Sequence, residues 1–126
     1  MEGSKKKILI LDDEPEMLGM ISQFLAASGF EVMVASDGQT GLEMAQNMGP
    51  DLILTDIQMP KIDGWVICTK LKSDPRLKHI PIIMLSGLLA VDAEADKAIE
   101  KCDYLMAKPV EMKNLLQKVQ QLLNLS

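Results

Sequence analysis

Residues Asp51 to Gly64 read DLILTDIQMPKIDG, and the architecture follows from this stretch. Leu52-Ile53-Leu54 is a short apolar run that ends at Thr55 and Asp56, ahead of a turn-rich segment carrying Pro60, Asp63 and Gly64. An apolar run of this length, bounded by turn residues, fits a strand buried on both faces. A carboxylate at the end of such a strand is costly to bury unless something compensates its charge. Taken alone, Asp56 reads equally well as a turn or helix-capping residue.

The same pattern recurs on both sides. Ile8 to Leu11 is a buried-strand run that stops at Asp12-Asp13-Glu14-Pro15. Pro15 suits the first turn of a helix, where its missing N–H would be unsatisfied in any case. Met17, Met20, Ile21, Phe24 and Leu25 then share one helical face, and Ser28-Gly29 closes the helix. Glu31 to Ala35 is a second strand, followed by a helix spaced by Leu42, Ala45 and Met48 and ended by Gly49-Pro50. After Gly64, a helix carrying Val66, Ile67, Cys68 and Leu71 breaks at Ser73-Asp74-Pro75.

Ile80 to Leu85 is a fourth strand, ending at Ser86-Gly87. A thin apolar stripe (Ala95, Ala98, Ile99, Cys102) predicts a weak helix over 91–101. Asp103 to Met106 is a short fifth strand before Ala107-Lys108-Pro109. The last helix is the most regular, with Met112, Leu115, Leu116, Val119, Leu122 and Leu123 on one face. Apolar strands alternating with amphipathic helices imply a parallel sheet covered on both faces. Right-handed crossovers then give an α/β, flavodoxin-like (βα)5 doubly wound five-stranded sheet, strand order 2-1-3-4-5.

Composition narrows the function classes. A chain of 126 residues, 48% hydrophobic and 25% charged, fits one soluble domain, taken as residues 5–126. A net charge of -5 argues against an unaided nucleic-acid surface, which needs basic patches. The one dense basic cluster, Lys5-Lys6-Lys7, reads as a solvated strand edge. Cys68 and Cys102 lack metal or redox spacing and read as small buried apolar residues, which fits a reducing cytoplasm. There is neither a signal-peptide pattern nor an apolar run long enough for membrane insertion.

In a doubly wound sheet the ligand site lies beyond the carboxyl ends of the strands, at the point where the strand order reverses. There the predicted strands deliver Asp12 and Asp13, then Asp56, Ser86 and Lys108. Clustered carboxylates repel one another unless a cation relieves them. Oxygen ligands without His or Cys favour Mg2+. A metal, an ammonium and a hydroxyl together suit phosphoryl oxygens, and a carboxylate can then act as a nucleophile without a separate base. Each residue alone has an ordinary explanation: Asp12 and Asp13 as helix-capping charges, Ser86 as a loop hydroxyl, Lys108 as a surface charge. Their common placement at the ends of one sheet's strands is what favours the functional reading.

With these residues in place, the sequence resembles the receiver domains of two-component response regulators. The resemblance rests on Leu11-Asp12-Asp13-Glu14-Pro15, on Asp56-Ile57-Gln58-Met59-Pro60 with Asp63-Gly64, on Ser86-Gly87 and on Lys108-Pro109. Spacings are typical of the family too: 43 residues from Asp13 to Asp56, 30 to Ser86 and 22 more to Lys108. The resemblance implies a signalling domain rather than a turnover enzyme. Asp56 would take a phosphoryl group from the phosphohistidine of a sensor histidine kinase or a histidine phosphotransfer protein. Asp13 would ligate Mg2+ directly, Asp12 would act nearby, and the backbone carbonyl of Gln58 would be a further ligand. Ser86 would turn toward the phosphoryl group and Lys108 would pair with it, next to a Lys108-Pro109 bond that is often cis in the family.

One position departs from the family pattern. Receivers usually carry Tyr or Phe three residues before the lysine. Here that position is Leu105, and Tyr104 stands one residue earlier. An offset of one sends a strand side chain to the opposite face. Either a bulge restores Tyr104 to the site or the aromatic switch is absent; the spacing from Ser86 to Lys108 shows no insertion, which favours absence. Among competing readings, a haloacid-dehalogenase-like phosphatase would need a DxD motif after the first strand, and Asp12-Asp13-Glu14 lacks that spacing. A flavodoxin-like cofactor binder would need a Ser/Thr/Gly-rich phosphate loop where this chain has carboxylates. A receiver-like module that takes no phosphate is disfavoured by the complete set of acids, hydroxyl and lysine.

Overall fold

The computed structural model describes residues 5–57, 64–86 and 102–125. Its strands are β1 (Lys7–Leu11), β2 (Glu31–Ala35), β3 (Leu52–Asp56), β4 (Ile82–Ser86) and β5 (Tyr104–Ala107). The helices are α1 (Pro15–Ala27), α2 (Gly38–Met48), α3 (Gly64–Ser73) and α4 (Met112–Leu122). All strand pairs are parallel, in the order β2-β1-β3-β4-β5, as the alternating pattern predicts. The register aligns Leu11 with Ala35 and Thr55, Asp56 with Leu85, and Ser86 with Ala107. The carboxyl ends of the strands therefore form one level rim, and the order reverses between β1 and β3.

Alternation along the strands sorts the core into two layers. Leu9, Leu11, Ile53, Ile82 and Met84 pack with Leu42 and Ala45 of α2 and with Ile67 and Leu71 of α3. Ile8, Ile10, Leu52, Leu54, Ile83 and Leu85 pack with Ile21 and Leu25 of α1 and with Leu115 and Val119 of α4. Each fully buried aliphatic side chain contributes roughly 1.5–3 kcal/mol relative to exposure. Cys68 and Cys102 are buried and unpaired with each other, as apolar filler should be.

The helix ends follow local chemistry. Pro15 opens α1, and Gly29 takes a positive φ of 102° just beyond it. Asp37 caps α2 by accepting the Thr40 N–H at 2.8 Å, and Gly49 ends that helix in the left-handed region. Gly41 is required for close approach: a Cβ there would overlap the Leu11 side chain. α2 thus sits tightly on β1, the strand that leads into the acidic rim.

Two strands start later than the apolar runs predict. Ile80 N–H closes a turn onto the Leu77 carbonyl, and Pro81 has no N–H to give, so β4 begins at Ile82. Asp103 stays outside β5 because its side chain is used as a clamp: Oδ2 accepts the Ile82 N–H at 2.7 Å and the Lys72 ammonium at 2.9 Å. Among the described residues no helix is long and apolar enough to cross a membrane. The helix expected over 91–101 lies outside the described residues, as do Met59, Pro60, Asp63, Gly87 and the carbonyl of Gln58.

Candidate functional site

The level rim brings the candidate residues of β1, β3, β4 and β5 together. Asp12 follows β1 directly and is fully buried, whereas its neighbour Asp13 is exposed. Asp12 N–H continues the sheet onto the Ala35 carbonyl, and Asp12 Oδ1 accepts the Glu14 N–H at 2.9 Å. The other oxygen, Oδ2, is buried and has no hydrogen-bond partner among the described residues. Asp56 ends the central strand β3 and is 7% exposed. Asp12, Asp13 and Asp56 each offer one carboxylate oxygen, all within 4.8 Å of one another.

Lys108 reaches the same point from the end of β5. Its backbone N–H donates to the Ser86 carbonyl at 2.7 Å, which fixes the lysine beside β4. Its ammonium donates to Asp56 Oδ2 at 2.8 Å and to Glu14 Oε1 at 3.1 Å, and it lies 3.5 Å from Asp12 Oδ2. The Lys108-Pro109 peptide is cis. Ser86 is 5% exposed at the end of β4, on the same rim.

Among the described residues the charges are unbalanced, since four carboxylates meet one ammonium. Burial raises the pKa of Asp12 above its ordinary value. The Glu14 N–H and the Lys108 charge oppose this, and the Asp56 and Glu14 charges add to it. For Lys108, burial works against the charged form. Hydrogen bonds to Asp56 and Glu14, with the Asp56 and Asp12 charges behind them, outweigh it and raise the lysine pKa.

The donor set fits a small divalent cation. It offers only hard oxygens, they converge, and one buried oxygen accepts no hydrogen bond from the described residues. Asp12, Asp13 and Asp56 are the described residues that would hold Mg2+ there.

β5 answers the question about the aromatic position. Its pairing with β4 runs unbroken through Ile83↔Tyr104, Met84↔Leu105, Leu85↔Met106 and Ser86↔Ala107, so no bulge shifts the strand. Leu105 packs against the layer that contains Met84, on the sheet face that Ser86 shares by alternation. Tyr104 faces the other way, 38% exposed, with the Lys118 ammonium of α4 4.0 Å from its ring centre. Within β5, the side chain on the Ser86 face next to Met84 is Leu105, not Tyr104.

Two contacts are new relative to the sequence reading. Glu14 joins Lys108; its position directly after two aspartates was the available signal. Thr55 is fully buried, and its hydroxyl donates to the Asp56 carbonyl at 3.0 Å. Its place as the one polar residue before Asp56 in β3 marked it. His79 lies exposed in the turn after α3, as a loop residue should.

Comparison with known proteins agrees with this geometry. The family model for the response regulator receiver domain matches residues 8–120. The chain is 34% identical over 117 residues to the DNA-binding dual master transcriptional regulator RpaA of Synechocystis sp., covering 93% of this chain and 48% of that protein. It is 36% identical over 124 residues to the alkaline phosphatase synthesis transcriptional regulatory protein PhoP of Bacillus subtilis, covering 96% of this chain and 50% of that one. The chain thus spans about half the length of these relatives. Among solved structures, a response regulator of Chloroflexus aurantiacus superposes with a TM-score of 0.89 at 29% identity, covering 96% of this chain and 99% of the other. With five parallel strands in the order 2-1-3-4-5 and the acids, hydroxyl and lysine gathered at one rim, the chain belongs to the response regulator receiver domain family.

Proposed function

We propose that Asp56 is the phosphoacceptor of a two-component phosphorelay. The observation that carries this is the position of Asp56 Oδ2: at the end of a central strand, largely buried, 2.8 Å from the Lys108 ammonium and within a carboxylate cluster suited to Mg2+. In the transfer, an Asp56 oxygen forms a bond to the phosphorus of a phosphohistidine on a sensor histidine kinase or histidine phosphotransfer protein. The P–N bond breaks, its electron pair returns to the imidazole, and an acyl phosphate results. Lys108 offsets charge on the phosphoryl oxygens, and the Ser86 hydroxyl supplies a further donor from the neighbouring strand end. Mg2+, when bound, would supply Lewis-acid stabilisation of those oxygens; Asp12, Asp13 and Asp56 would hold it, and the resemblance adds the carbonyl of Gln58. Hydrolysis of the acyl phosphate by water at the same site returns Asp56, so the domain assists both its phosphorylation and its dephosphorylation.

The phosphorylated state then shifts an equilibrium between conformations and alters a protein-binding face. With Leu105 rather than an aromatic on the Ser86 face, this shift runs without the rotating aromatic ring. The net charge of -5 supports a protein as the direct output partner of this domain rather than nucleic acid. The test is acid-labile incorporation of phosphate from acetyl phosphate with Mg2+. Wild-type chain is expected to label and Asp56→Asn to lose the label; equal labelling of both would remove Asp56 from this role.

A further inference from the structure

Glu14 has no part in the transfer described above, yet it touches the residue on which that transfer depends. It stands at the N-cap of α1, but its side chain makes no capping hydrogen bond. Its backbone N–H is tied to Asp12 Oδ1 at 2.9 Å. The side chain, 62% exposed, reaches across the rim to Lys108, with Oε1 at 3.1 Å from Nζ. The lysine side chain is only 13% exposed and gives a second donor to Asp56 at 2.8 Å.

An ammonium has three donors, and here two of them already serve carboxylates. A phosphoryl group arriving on Asp56 brings new acceptors for the same nitrogen. Lys108 can turn to them most easily by leaving the partner that water can replace. Asp56 and Asp12 are buried and cannot be resolvated in place, whereas Glu14 is exposed. We infer that Glu14 is a positioning residue: it restrains Lys108 before transfer, and its release of the ammonium accompanies phosphorylation. Removing the Glu14 charge therefore speeds phosphorylation, and does so through Lys108. This inference rests on the reading of Asp56 as phosphoacceptor.

A four-way comparison tests it, using acetyl phosphate and saturating Mg2+. In this reaction an Asp56 oxygen bonds to phosphorus and acetate leaves with the electron pair of the broken P–O bond. Labelling rates are measured for the wild-type chain, Glu14→Gln, Lys108→Ala and the double variant. The expected result is a rate roughly two- to five-fold higher in Glu14→Gln, the scale of an exposed ion pair. In the Lys108→Ala background the same substitution changes nothing, because the group it acts through is gone. Glutamine makes no new cap, so thermal melting of Glu14→Gln shifts by no more than the loss of one exposed ion pair. An unchanged rate in Glu14→Gln overturns the proposal. So does an equal acceleration in the Lys108→Ala background, which would make Glu14 a mere repeller of anionic donors. A wild-type chain that takes no label at all is a different failure: it removes the phosphoacceptor reading itself, and this inference with it.

Discussion

Lys108 Nζ stands 2.8 Å from Asp56 Oδ2 and 3.5 Å from a buried Asp12 oxygen that has no hydrogen-bond partner among the described residues. Among the described residues, one ammonium thus serves a cluster of carboxylates whose negative charge it cannot balance. In the absence of divalent metal the rim is a source of instability, and its chemistry and its energetics can be tested separately.

Asp12→Asn is expected to stabilise the metal-free protein at neutral pH by about 1–2 kcal/mol, the scale of neutralising a poorly compensated buried charge. Asparagine keeps the oxygen that accepts the Glu14 N–H while removing the charge that burial disfavours. The pH dependence has a definite sign. The Asp12 pKa is raised above 3.8 in the folded chain, so folding favours the protonated form. The penalty grows as pH rises through that range and is complete above the folded value. The advantage of Asp12→Asn should therefore shrink as pH falls toward 3.8. Urea unfolding at neutral and acid pH reads this, and added Mg2+ should narrow the gap by stabilising wild type more.

Lys108→Ala is expected to lower the rate of phosphorylation and to tighten Mg2+ binding several-fold, because the ammonium no longer competes for Asp56 and Asp12. Isothermal titration calorimetry with Mg2+ gives the affinity. In wild type the raised lysine pKa means that the stabilisation from its charge is fully present below pH 10.5 and is lost only as pH rises through the higher folded value. Stability changes near neutral pH therefore do not report on Lys108.

Gly41→Ala tests the contact that seats α2 on β1. In an exposed helix this change would help, since alanine has the higher helix propensity. Here the added Cβ meets Leu11, which is 1% exposed and has no room to move. Overpacking should win, at a cost of about 1–3 kcal/mol. Thermal melting checks the sign. Gly41→Ala combined with Leu11→Val should recover part of the loss, because the smaller side chain makes space.

Most of the strand order and rim was legible from two features: apolar runs of strand length, and the polar residue that ends each one. Leu11-Asp12, Thr55-Asp56 and Leu85-Ser86 show the run and its end directly. Strand starts were less legible, because Ile80 and Asp103 are diverted by hydrogen bonds that no hydropathy pattern records: a turn onto Leu77 and a clamp on Ile82 and Lys72. Long-range partners within the site were also hidden. Glu14 and Lys108 are 94 residues apart, and only the folded rim places their side chains together.

Tyr104 and Leu105 provide the last test, because the unbroken β4–β5 register puts them on opposite faces. Tyr104→Ala removes an aromatic that contacts the Lys118 ammonium at the surface of α4. It should cost about 0.5–1 kcal/mol of stability and leave the labelling rate and the response to beryllofluoride unchanged. Leu105→Ala instead opens space in the layer that contains Met84, on the Ser86 face. It should leave Asp56 able to take phosphate but reduce the chemical-shift changes that beryllofluoride spreads beyond the Asp56 pocket. The measurement is a pair of NMR titrations with Mg2+ and beryllofluoride on the two variants. If Tyr104→Ala blunted the spread and Leu105→Ala did not, the signal would pass through the α4 face. Leu105 would then be a packing residue, and the missing aromatic would have been replaced from the opposite side of the sheet.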